Sequence, residues 1–193
     1  MPIRALPRLL LIFGLGCSAT GCSHMPVTSM VKLARVDFQT SDPAQLRAAV
    51  KLPISLRPLP GGVVLRIVVR RRGAAEEQRE FVLRELAEPA ALAREAEAAT
   101  RIYAYRLDEA DATKLLAFRA ELMERKSAGG GGSVTISIAP KACKTFELPE
   151  GPIYVTTYLR TAETVEYVTL ARDVDLRSLA SDHPIVDVPR CQI

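Results

Sequence analysis

The chain has 193 residues, 48% of them hydrophobic and 25% charged, the make-up of an ordinary globular protein. Its 26 basic and 22 acidic residues leave a net charge of +4. Arg4 and Arg8 lie in a leader without acidic residues, so the remainder, with 24 basic against 22 acidic residues, carries +2. That is too little to point to nucleic acid, and the pI near 9.0 adds nothing to it.

Residues 1–22 read MPIRALPRLLLIFGLGCSATGC. Two arginines precede an apolar run from Leu9 to Leu15, and small residues follow. This order is that of a secretory signal. The run falls far short of the ~20 residues that span a bilayer. The end of the leader resembles the bacterial lipobox, in which a small or aliphatic run ends in Gly-Cys. Cys17 follows Gly14-Leu15-Gly16, and Cys22 follows Ala19-Thr20-Gly21. The second is the better match. Cleavage before Cys22 also removes Cys17 and leaves Cys143 and Cys191 as an even pair, whereas cleavage before Cys17 strands an odd thiol. The resemblance implies a bacterial lipoprotein, with a signal peptide over 1–21 and lipid attached at Cys22. Its diacylglycerol and further acyl chain anchor it stably, since two chains already do so. Ser23 after the cysteine implies the outer membrane, with the domain facing the periplasm. Secretion without lipid is the alternative.

Residues 22–29 read as the lipidated cysteine and a short tether, and 30–193 as one globular domain, roughly the size a single core can fill. From residue 30 a strand-then-helix rhythm recurs. The first unit is a strand over 31–38 and a helix over 41–50, with Asp42 as cap and Pro43 in the first turn. A Pro-rich connection over 51–62 follows, then a strand over 63–72 that turns at Gly73 and pairs with 79–86. The second unit is 81–87 with a helix over 88–99. The third is 101–107 with a helix from Asp108 to Lys126, whose apolar stripe is Ala112, Leu115, Phe118, Leu122 and Met123. Gly129–Gly132 break the chain. Val134, Ile136 and Ile138 alternate with polar residues as a half-buried strand, and 152–160 with 164–172 form a hairpin. The expected fold is α+β: a mixed, mostly antiparallel sheet of about seven strands with about three helices on one face. The alternative is a two-sheet β-sandwich with peripheral helices.

Cys143 and Cys191 are expected to pair as a disulfide in an oxidising envelope. The only histidines are His24, in the tether, and His183, on a loop near the C-terminus. No G-x-S-x-G, H-E-x-x-H or P-loop pattern accompanies them. No catalytic residue, metal ligand or cofactor is assigned. Tyr103 with Tyr105, and Tyr154 with Tyr158, each share a strand face, with Arg106 and Arg160 nearby in sequence; they form a candidate binding surface for glycan or a peptide strand. The functional expectation is a non-catalytic lipoprotein that binds an envelope partner or scaffolds an assembly. The alternatives are an envelope hydrolase and a glycan or small-ligand binder.

Overall fold

A computed structural model describes residues 25–87, 90–129, 132–179 and 188–192. Cys17, Cys22, His24 and His183 lie outside the described residues. The core is one continuous seven-stranded sheet in the order β5-β2-β3-β4-β1-β6-β7. The strands are β1 Arg47–Pro53, β2 Leu56–Arg71, β3 Glu77–Leu86, β4 Thr100–Leu107, β5 Gly132–Lys144, β6 Tyr154–Arg160 and β7 Val168–Asp175. Every pairing between them is antiparallel, so the sheet is not mixed, and no second sheet forms a sandwich among the described residues. One isolated parallel bridge joins Lys144 to Arg190. Val134 and Ile136 of β5 face the same cavity as Leu159 and Leu170 of β6 and β7, so the two edges curl toward each other and the sheet approaches a barrel.

The helical units differ from the expectation, each for a local reason. Residues 31–38 are not a strand. A helix, α1 Val27–Leu33, begins inside the expected tether and takes the first residues of that stretch, and 34–38 are turn and irregular chain. Its apolar residues satisfy helical as well as alternating spacing, and Ser29 and Leu33, four apart, face the protein. Asp42 does cap a turn, accepting from the amide of Ala44, but the turn is a short 3-10 helix, Pro43–Gln45. The chain then extends into β1. Ala48 to Leu52 are buried without alternation, as befits a central strand covered on both faces. The alanines have a packing reason: Ala48 stands opposite Tyr105 and Ala49 opposite Tyr158, small against large across the sheet. The expected connection over 51–62 is mostly strand, with Pro58 and Pro60 accommodated at an irregularity between Pro58 and Val63. Of the expected helix over 88–99, the described residues form a 3-10 turn, Ala90–Glu95.

The third helix does form, as α2 Glu109–Ser127, and Asp108 caps it by accepting from the amide of Ala110. It links the end of β4 to the start of β5, three strands away, so it crosses one end of the sheet. Leu115 and Phe118 enter the main core beside Phe81, Leu65 and Tyr105. The start of β1 and the ends of β4 and β6 also lie at this end, because Arg47 stands opposite both Arg106 and Arg160. At the opposite end Cys143 and Cys191 are bonded, S–S 2.08 Å and Cα–Cα 5.0 Å. They pin the C-terminal segment to the end of β5. A short helix, α3 Leu176–Leu179, follows β7.

Candidate functional site

Four features of the surface bear on function. The first is α1. Val27, Met30 and Val31 are spaced i, i+3, i+4 on its outward face and are 75%, 45% and 57% exposed. Lys32 bonds Glu166 at 3.2 Å, which brings the loop carrying exposed Val165 alongside the helix. An apolar stripe facing outward on a helix is a candidate contact surface.

Beneath α1 lies the second feature, an apolar cavity of about 250 Å³. Met25, Leu33, Phe38, Leu115, Ile136 and Leu159 contribute to its wall. One cation, Arg119 from α2, reaches it. The guanidinium donates to the Ser41 carbonyl and stacks 5.8 Å from the Phe38 ring, while its Nε is buried without a hydrogen-bond partner. Among the described residues no carboxylate lies within ion-pair distance of Arg119; the nearby Glu163 instead accepts from Ser41 Oγ at 3.1 Å.

The tyrosines do not share one surface. Tyr103 and Tyr105 point into the curl of the sheet, where Tyr105 is 3% exposed and its hydroxyl has no partner. Register puts Tyr158 on the other side, paired through Ala49 to Ala104, with Tyr154 on the same side of β6. Tyr158 is buried and donates to Glu95 at 3.2 Å. Burial pushes both the Tyr105 and Tyr158 hydroxyls far above the usual tyrosine range. Tyr154 is 53% exposed. It borders the third feature, a cleft whose mixed lining includes the charged Lys51, Glu97, Arg172 and Asp173. Lys51 is 8% exposed and bonds Glu97 at 2.7 Å. Thr156 Oγ1 donates to Asp173 at 3.1 Å, and Asp173 holds a left-handed φ of 49°. Among the described residues no group of three or more His, Cys, Asp or Glu side chains is placed to hold a metal ion.

The fourth feature was not legible in the sequence. Arg84 pairs with Arg106, Arg106 with Arg47, and Arg47 with Arg160. Four arginines therefore stand in one row across β3, β4, β1 and β6, on the outer side of the sheet and at the end where α2 crosses. Arg84, Arg106 and Arg160 are exposed, and Arg47 is half-buried. Arg84 is bonded to Asp108, and Arg47 donates to the carbonyls of Ala44 and Leu46. Tyr167 sits close to Arg160 and Arg47; burial raises its hydroxyl while these charges oppose the shift.

No family model, no curated protein and no solved structure matches this chain. Among the described residues no helix is long and apolar enough to cross a membrane.

Proposed function

We propose that the protein is a lipid-anchored cell-envelope lipoprotein whose domain rests directly on its membrane and works by binding, not by catalysis. The observation that carries this reading is the exposed stripe of α1, which starts at Val27, five residues beyond Cys22. Met25 lies three residue steps beyond Cys22, a reach of about 10 Å at ~3.5 Å per residue. A lipid on Cys22 holds α1 at the headgroup boundary, and Val27, Met30 and Val31 then meet the acyl region as an interfacial helix does. The outer membrane, periplasmic side, is the address that Ser23 favours. Metabolic labelling with an alkyne fatty acid tests the anchor. Labelling is expected in the wild-type chain and in Cys17→Ser, and is expected to vanish in Cys22→Ser, whose chain leaves the acyl-anchored fraction. Label persisting in Cys22→Ser overturns the assignment.

A second reading, a binder of small amphiphiles, is favoured by the cavity. An apolar cavity with a single cation lacking a carboxylate partner suits an acyl chain ending in an anionic head, since burying a charge is costly without a counter-charge. Ile136→Trp should fill the cavity and weaken palmitate binding at least tenfold in calorimetric titration. Palmitate should also bind more tightly than its methyl ester. Equal palmitate binding by the wild type and Ile136→Trp, or no saturable binding at all, rules this reading out.

A further inference from the structure

We infer that the row Arg84–Arg106–Arg47–Arg160 is a binding site for the phosphate headgroups of anionic phospholipid. The row is a local cost to the fold. Like charges directly opposite on neighbouring strands repel, and here the repulsion recurs over three consecutive pairings. Strands lie ~4.8 Å apart, so four positions span about 14 Å. Among the described residues one of the four, Arg84, has a carboxylate partner, Asp108. The charge of Asp108 also acts on Arg106, and one paired carboxylate among four guanidiniums leaves the row a place for anions from outside. Planar guanidiniums take phosphate oxygens through paired N–H donors, which favours phosphate as the class.

Position selects the source. The row lies at the end of the sheet that carries α2 and the loop of Thr161, and Thr161 lines the same cavity as Met25. With Cys22 lipidated, Met25 sits within about 10 Å of the bilayer surface at ~3.5 Å per residue, and Arg160, the neighbour of Thr161, brings the row to the same end. The inference rests on the Cys22 reading to this extent. An arginine near an anionic surface contributes about fivefold in affinity. Arg160 and Arg106, exposed and outside any ion pair among the described residues, are the strongest contributors.

The test uses purified full-length protein with vesicles of phosphatidylcholine alone or with phosphatidylglycerol added. Arginine modification by phenylglyoxal is read by mass spectrometry. Arg106 and Arg160 should react several-fold more slowly with phosphatidylglycerol present, whereas Arg101, exposed at the opposite end of β4, should not change. Equal rates in both vesicles overturn the inference. Protection by inorganic phosphate alone, equal to that by vesicles, overturns the headgroup as source. If the chain carries no lipid, it stays out of phosphatidylcholine vesicles. Co-sedimentation with phosphatidylglycerol vesicles then still supports the row, and its absence rejects it, so failure of the anchor and failure of the row give different results. A second variant separates binding from folding. Arg106→Gln/Arg160→Gln should abolish the phosphatidylglycerol-dependent protection of Arg84 and leave the melting temperature unchanged or higher. A lower melting temperature would assign the row to the fold and overturn the site.

Discussion

Phe118→Ala is expected to destabilise the protein by about 3–5 kcal/mol. Phe118 is 4% exposed on the inner face of α2. Its ring lies 6.4 Å from that of Phe81 on β3, tilted by 45°, and Arg79 stands 5.6 Å over it. Truncation therefore removes a ring contact between the helix and the sheet it crosses, and leaves a cavity in the core. Arg79 keeps a second partner in Glu77 at 3.0 Å, so the loss is one of packing rather than of a stranded charge. For a domain of this size the melting temperature should fall by roughly 6–20 °C. Leu116→Ala is the control: Leu116 is 47% exposed on the opposite side of α2 and should change stability by less than about 0.5 kcal/mol. Equal shifts in the two variants would mean that α2 does not seat on the sheet as described.

Cys143→Ser/Cys191→Ser should lower stability by up to about 4 kcal/mol, the chain-entropy figure for a bridge between residues 48 apart. The native segment is also held by hydrogen bonds from Lys144 N to Pro189 O, 2.8 Å, and from Cys191 N to Lys144 O, 3.0 Å. These remain when the sulfurs go, so the strand end stays paired and the loss falls mainly on the unfolded chain. Urea unfolding with and without a reductant measures this. A midpoint that drops on reduction for the wild type, and does not move for the double variant, is the expected pattern. An unchanged wild-type midpoint would mean that the bridge contributes nothing to stability.

Legibility followed how local each signal was. The Asp108 cap and the stripe through Leu115 and Phe118 are contained within one helix, and α2 appears where the pattern put it. The alternation over Val134, Ile136 and Ile138 likewise marks β5, which extends further to Lys144. Residues 47–53 misled because Ala48 and Ala49 are strong helix formers. Their place in the sheet is set by Tyr105 and Tyr158, which are distant in sequence. The stripe of α1 was divided by the boundary drawn at residue 29, which cut the helix after its first turn.

The candidate sites divide along the same line. The pairing of Cys143 and Cys191 and the parity of each tyrosine pair were readable from the sequence by itself, and the proposed leader and the choice of Cys22 over Cys17 rest on the sequence alone. Those are statements about composition, spacing and a single strand. Only the tertiary structure decided that Tyr103 and Tyr105 face the interior while Tyr154 and Tyr158 lie on the other side. It alone assembled the arginine row, because a one-residue slip in any pairing would send an arginine to the opposite face. It alone set Arg119 against the apolar cavity under α1. Register and the curl of a sheet depend on contacts between residues far apart in the chain, and no local pattern carries them.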